Sequence, residues 1–397
     1  MKKKHILSVF ILAIAILGTA CGPGAGKASD PKPADSTMVE ERIYVPEGVH
    51  SVQYAVAAEQ PVSLHTEDQA KFIQDDYKKV LNYANGRKEL SRPEGLTLSW
   101  SEWADGKSAD SYLVKISENA SMTNANEYTT AESEILVYNL KIDTEYFWTV
   151  TAIYQDSSVL GEVSSFRTSP AIIRNIYVDG VTNFRDLGGY DIGNGKTVKQ
   201  GLIYRCGRLN VSDSEEVEVE ITEQGKDTML NELGIKSEID LRRVDNNEVG
   251  GISSSVLGDA VNYFAVPMDY ASRDFDNDPI KGNKEMIVYL FSILADENNY
   301  PLCFHCNIGT DRTGMVAYMV YGLLGVDKSD IYHDYLFSNF GLIGGPRPIT
   351  SISEAVYVKH INKYDGATLG EKIYNCLVDI GVPTENIDSV VRILSTD

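Results

Sequence analysis

Several things are scarce in this chain, and each shortage removes a class of protein. Only five cysteines occur in 397 residues. Apart from Cys21, they are Cys206, Cys303, Cys306 and Cys376, too few and too scattered for a disulfide framework. Cys303 and Cys306 form a C-x-x-C pair, but no second pair completes a zinc site. Basic residues are outnumbered, with 36 Lys and Arg against 57 Asp and Glu, for a formal net charge of −21. That balance argues against general nucleic-acid binding and against broad attraction to anionic membranes. An anionic substrate therefore needs a local positive site. Internal repeats and long low-complexity tracts are absent. No apolar run reaches the roughly 20 residues of a spanning helix. What remains is globular in kind, with 43% apolar and 23% charged residues. The length suggests two domains with appendages.

The N-terminus reads as an export signal. Lys2, Lys3 and Lys4 precede an apolar run from Val9 to Leu17. The following Leu17-Gly18-Thr19-Ala20-Cys21-Gly22 resembles a bacterial lipoprotein signal, although Leu17 lies one place further from the cysteine than usual. The resemblance implies cleavage before Cys21, a lipid on its thiol and an exported, membrane-anchored protein. An ordinary secretory signal is the alternative. Residues 22–42, rich in Gly, Pro, Ala and Ser, read as a flexible tether.

Residues 43–89 have no assigned role. Within them Thr66 looks like an N-cap, with Glu67 and Asp68 in the first turn of a helix reaching about Tyr83. Its apolar side would be Phe72, Tyr77, Val80 and Leu81. Residues 90–169 switch to short alternating strands, as in Leu96, Leu98, Trp100 and Tyr112, Val114, Ile116. With Trp100, Tyr146 and Phe166 so placed, this stretch resembles a fibronectin type III domain, which implies a β-sandwich. There Tyr146 would bond backbone near the preceding turn. From residue 172 to 397, strands and helices alternate. That argues for an α/β domain with a largely parallel sheet. Strands are expected at Val198 to Arg205, Ser237 to Leu241, Val261 to Val266 and from Leu302. Helices are expected at Thr222 to Leu233 and Asn283 to Ala295.

One segment carries chemistry: His305-Cys306-Asn307-Ile308-Gly309-Thr310-Asp311-Arg312-Thr313-Gly314. An apolar strand leads in and a helical run leads out, so backbone N–H groups can cradle a phosphate at a helix N-terminus. Placing Cys306 there, near Arg312, favours its thiolate. Thiolate attack on a phosphomonoester gives a phosphocysteine that water hydrolyses. Arg312 can clamp two phosphoryl oxygens, and Thr313 can donate to the sulfur as it leaves. The phosphate-binding set is Asn307, Ile308, Gly309, Thr310, Asp311 and Arg312. No metal or other cofactor is required, since the loop and Arg312 supply positive charge.

These residues resemble the protein-tyrosine phosphatase signature. Asn183-Phe184-Arg185-Asp186-Leu187-Gly188-Gly189-Tyr190, Ile203-Tyr204-Arg205-Cys206-Gly207 and Ile239-Asp240-Leu241-Arg242 narrow it. Together they are similar to the bacterial group of secreted tyrosine and lipid phosphatases, over about residues 175 to 395. The resemblance implies that Asp311 protonates the leaving oxygen. Asp269, in the segment Met268 to Pro279, is the alternative acid. His305, Asp240 and Arg242 read as supporting residues, and Arg185 and Asp186 either buttress the loop, line the pocket mouth or form an ordinary structural ion pair. Asp334 and Tyr335 read as helix packing behind the loop. Two positions depart from the group. Thr310 stands where lysine is usual, which weakens a lipid-phosphatase reading. Cys206 stands where serine is usual, as either a disulfide trap for Cys306 or a small buried side chain. The expected function is a cysteine-dependent protein-tyrosine phosphatase acting on a phosphorylated protein. A phosphoinositide or inositol-phosphate phosphatase is the alternative. A surface protein that binds a cell-surface partner through the fibronectin-like domain is the rival from another class.

Overall fold

In the computed structural model, the described residues are 54–56, 61–101, 109–210, 220–243, 253–269 and 278–396. The expected signal, the tether and Cys21 lie outside them. No helix among the described residues is long and apolar enough to cross a membrane.

Alternation of apolar and polar residues lays down the first eight strands. They are β1 (Tyr54–Val56), β2 (Leu96–Trp100), β3 (Ser111–Ser117), β4 (Asn126–Thr130), β5 (Glu134–Val137), β6 (Glu145–Tyr154), β7 (Ser157–Leu160) and β8 (Ser164–Arg167). They make two antiparallel sheets, ordered β1-β2-β5 and β4-β3-β6-β7, with β8 also paired to β6. Every second side chain points into one shared core: Leu96, Leu98 and Trp100 meet Tyr112, Val114, Ile116, Trp148 and Phe166. The Tyr146 hydroxyl accepts the Lys141 N–H at 2.8 Å, the backbone bond expected of it.

The preceding segment is divided between two cores. β1 pairs with β2 and so extends the first sheet. Helix α1 (Glu67–Gln74) instead packs on the second core through Phe72. Thr66 caps it, with Gln69 closing the capping box. The helix expected to reach Tyr83 stops at Asp75. There Asp76 turns extended and its carboxylate accepts the Lys78 N–H at 3.0 Å, starting a separate 3-10 turn over Tyr77–Asn82. Val80 is buried by that turn, whereas Leu81, expected on the apolar side, is 45% exposed.

The second part follows the α/β alternation. Its strands are β9 (Arg185–Asp186), β10 (Asp191–Gly193), β11 (Lys196–Thr197), β12 (Ile203–Cys206), β13 (Ser237–Asp240), β14 (Asn262–Ala265) and β15 (Leu302–His305). Its helices are α2 (Glu223–Asp227), α3 (Pro279–Gly282), α4 (Lys284–Leu294), α5 (Asp311–Leu324), α6 (Lys328–Phe337), α7 (Thr350–Ser353), α8 (Val356–Ile361), α9 (Leu369–Asp379) and α10 (Thr384–Leu394). The main sheet runs β14-β13-β15-β12-β9, all parallel except β9 at one edge. Both faces are covered, as a parallel sheet requires. Ile239, Leu302 and Phe304 face the larger core, while Tyr204, Cys206 and Cys303 face a smaller one with Met229 and Leu233. The strand expected from Val198 begins only at Ile203, because Gly201 turns the chain at φ +85°. The helix expected to reach Leu233 is α-helical only to Asp227 and widens into a π turn over Thr228–Glu232. β15, buried at all four residues, sits between β13 and β12 and delivers its C-terminal end to α5.

Candidate active site

Between the end of β15 and the start of α5 lie five residues, Cys306 to Thr310. Folding a strand into a helix over so short a loop turns successive N–H groups inward. Gly309 makes the turn at φ +71°, and a Cβ there would lie 2.3 Å from the Cys206 carbonyl oxygen. A side chain at Gly314 would meet the Tyr335 ring at 2.8 Å, so glycine lets α6 approach α5. Cys306 is buried. Burial pushes its thiol up, but the Arg312 guanidinium and the hydroxyl and N–H of Thr313 outweigh that and hold it below the ordinary value. Arg312 is buried as well, with Nη1 donating to the Leu241 carbonyl at 3.3 Å and leaning toward that of Met268 at 3.5 Å. Thr310 is buried, while Asn307 and Ile308 reach the surface of the loop.

The loop is clamped from outside by groups distant in sequence. Asn183 Nδ2 donates to the carbonyls of Ile308 and Gly309, each at 3.1 Å. Arg205 Nη2 donates to the Gly309 carbonyl at 2.9 Å. Behind them stands Asp334, whose carboxylate takes Arg185 Nε at 2.7 Å and Arg205 Nη1 at 2.5 Å. Burial pushes that carboxyl up, and the two guanidiniums more than reverse it. Asp334, expected as helix packing, is thus an ionic hub. Arg185 also donates to Asn183 Oδ1, so it orients the clamp and does not line the loop. Asp186 turns away, to Arg174 at 2.6 Å and to the N–H groups of Gly188 and Gly201.

His305 ends β15 beneath the loop. Its Nε2 is 3.0 Å from Glu238 Oε1, its Nδ1 3.2 Å from the Cys306 carbonyl oxygen and 3.9 Å from Asp240 Oδ1. Burial lowers its pKa, yet Asp240 and Glu238 prevail and raise it to about 9. An imidazolium fixed between carboxylates is suited to supporting the loop and poorly suited to taking a proton. Asp240 is itself bound by Arg242, with Nη2 at 2.7 Å and Nε at 2.9 Å, and by the Tyr263 hydroxyl at 2.9 Å. Burial raises the Asp240 carboxyl, but His305 and Arg242 bring it below its ordinary value.

Both candidate acids adjoin the loop. Asp311 opens α5 and is engaged by Arg347, with Nη2 at 3.2 Å from Oδ2, and by the Tyr335 hydroxyl at 3.3 Å. Asp269 follows Met268, the residue whose carbonyl Arg312 approaches, and its exposed carboxylate meets Arg243 at 3.3 Å. Residues 270–277 of that segment are outside the described set. Cys206 and Cys303 are free thiols that share the smaller core, whereas Cys306 belongs to the larger core on the other face of the sheet. The side chains thus favour a Cys206–Cys303 neighbourhood over the Cys206–Cys306 trap. Sequence reading also missed Asn183 and Arg205 as loop clamps, Glu238 beneath His305, Arg347 on Asp311, and Arg208, whose Nη1 donates to Asn307 Oδ1 at 3.1 Å. Asn183 and Arg205 stood inside the recognised segments, so position was the available signal. Arg347 and Arg208 carried none.

Residues 176–367 match the family described as the tyrosine phosphatase family. A candidate tyrosine-protein phosphatase of Cupriavidus necator is 25% identical over 181 residues, covering 41% of this chain and 62% of that protein. A tyrosine-protein phosphatase of Nostoc commune is 38% identical over 58 residues, 15% of this chain and 20% of that one. The chain thus spans less than two thirds of either relative. Among solved structures, the core catalytic domain of a PP-IP phosphatase from S. cerevisiae, in complex with citrate, is 17% identical. That likeness covers 41% of this chain and 84% of that chain, with a TM-score of 0.26.

Proposed function

We propose that the protein hydrolyses phosphomonoesters through a phosphocysteine on Cys306, with phosphotyrosine in a protein as the substrate. One observation carries this reading. Cys306 is a buried thiol held below its ordinary pKa by Arg312 and Thr313, beside the N-terminus of a helix whose N-cap residue, Thr310, makes no side-chain capping bond. A thiol governed by burial is pushed up, as Cys376 is, to about 11. The names of both relatives support phosphotyrosine as the substrate class.

In this reading Cys306 attacks phosphorus as the thiolate, and the P–O bond to the leaving group breaks. Arg312 gathers the equatorial oxygens as charge spreads over them. Asp311 gives its proton to the leaving oxygen, for which Arg347 must release it. Water then attacks the phosphocysteine and Thr313 eases the departure of sulfur. The two antiparallel sheets before the catalytic part, with their Tyr146 corner bond, support a fibronectin type III-like spacer. The basic and apolar residues before Cys21 support export with a lipid on that thiol, which incorporation of labelled fatty acid and its loss in Cys21→Ala would test.

The enzymatic reading is tested by phosphate release from a phosphotyrosine peptide, a phosphoserine peptide, inositol hexakisphosphate and a singly phosphorylated phosphoinositide. Each runs against Cys306→Ser. Cys306-dependent release chiefly from phosphotyrosine is expected. Preference for an inositol substrate would replace the substrate assignment. No release from any substrate, with thiols reduced, would favour a binding protein.

A further inference from the structure

Arg208 lies just beyond β12, against the loop. Its N–H donates to the Asn307 carbonyl and its Nη1 to Asn307 Oδ1, both at 3.1 Å. Asn307 is the residue next to Cys306. The Arg208 side chain is only 1% exposed, as buried as Arg312. Yet among the described residues its Nε and Nη2 have no acceptor.

The contrast with other buried arginines around the loop is sharp. Arg174 has Asp186, Arg185 and Arg205 share Asp334, and Arg242 has Asp240. The charge that acts on Arg208 is another cation. Burial first, then repulsion from Arg242, holds its guanidinium below the ordinary value. A buried guanidinium with two unused donors and a cationic neighbour is a poor structural element. It becomes a good one when an anion arrives. Thr310, buried and uncharged, offers no competing cation in the loop.

We propose that Arg208 is a specificity residue that receives a second anionic group of the substrate, beside the phosphoryl group bound over Cys306. The inference rests on the phosphatase reading above. Because Arg208 is bonded to Asn307, the residue next to Cys306, the second group lies beside the first and the two anions must be close together on the substrate. A phosphate on a neighbouring carbon meets that requirement, and so does a carboxylate folded against a phosphotyrosine. The shared chemistry is a compact pair of anions.

The test uses the full chain and matched substrates that differ by one anion. One pair is myo-inositol 4,5-bisphosphate and myo-inositol 4-phosphate. The other is a phosphotyrosine peptide with flanking aspartates and its asparagine counterpart. For the wild type, KM for the doubly anionic member of one pair is expected to be lower by about tenfold, the effect of a hydrogen bond to a charged group. The pair that responds identifies the source of the second anion. In Arg208→Met that KM ratio falls toward one, and Arg208→Lys restores part of it. Equal KM values within both pairs for the wild type would overturn the proposal. So would an Arg208→Met variant that loses kcat on all four substrates with the KM ratio intact, the mark of a purely structural residue. Should Arg208→Met not fold, inhibition of wild-type p-nitrophenyl phosphate turnover decides. Pyrophosphate is expected to inhibit about tenfold more tightly than orthophosphate, and equal inhibition overturns the proposal. If Cys306→Ser retains p-nitrophenyl phosphate turnover, the underlying phosphatase reading fails first, and this inference fails with it.

Discussion

Replacing Asp334 by asparagine isolates the force that shapes the loop. The Asp334 carboxylate holds Arg185 at 2.7 Å and Arg205 at 2.5 Å, with all three side chains about 1% exposed or less. Asparagine keeps the size and one acceptor oxygen but removes the charge, leaving two buried guanidiniums uncompensated. Breaking one buried pair costs about 3–5 kcal/mol. Here two pairs share one anion, but both arginines keep other acceptors, Arg185 on Asn183 and Ser338 and Arg205 on Gly309. A loss of about 4 kcal/mol is expected, a large share of the roughly 5–15 kcal/mol that domains possess. Urea unfolding followed by circular dichroism measures it. Asp143→Asn is the control. Its Arg167 partner also sits at 2.7 Å, but both side chains are more than half exposed, so less than about 1 kcal/mol should be lost. In variant protein still folded, orthophosphate should inhibit less tightly, because Arg205 and Asn183 no longer fix the loop carbonyls. A loss for Asp334→Asn as small as that of the control would refute the reasoning.

Three further outcomes are expected. Gly309→Ala should cut kcat/KM on p-nitrophenyl phosphate by about 100-fold or more, because a left-handed residue costs roughly 1–2 kcal/mol and the new Cβ meets the Cys206 carbonyl at 2.3 Å; unchanged turnover would contradict the loop geometry. His305, raised to about 9 from an unfolded value near 6.5, contributes stability that is fully present below about pH 6.5 and lost as pH rises through about 9. Up to about 3 kcal/mol is involved, so urea midpoints should fall over that window in the wild type and stay flatter in His305→Gln. Asp311→Asn should slow turnover of a phenyl-type phosphate with a poor leaving group far more than that of p-nitrophenyl phosphate, whereas Asp269→Asn should not; the reverse pattern reassigns the acid.

What the sequence made legible was local. The strand, loop and helix that carry Cys306 are contiguous, so spacing alone disclosed that turn. The alternation over Leu96–Trp100 and Ser111–Ser117 disclosed the first sheets for the same reason. Thr66 marked a helix start correctly, but the stop at Asp75–Asp76 depended on a side chain competing with the helix, which no periodicity reveals. The clamp around the loop was hidden because it is assembled across distance. Asp334 lies 149 residues from Arg185 in sequence, and Asn183 lies 125 from Ile308. Nothing in the local pattern at Asp334 separates an ionic hub from ordinary helix packing. Arg208 was invisible for the opposite reason: what sets it apart is that its Nε and Nη2 find no acceptor among the described residues.

The most direct test of the central claim is to quench the enzyme with acid during turnover of a 32P-labelled phosphotyrosine peptide and map the label. The account predicts 32P on Cys306, in an acid-trapped phosphocysteine that is absent from Cys306→Ser and accumulates when Thr313 is replaced by alanine. Steady phosphate release with no protein-bound label under any of these conditions, or label on another residue, would contradict it.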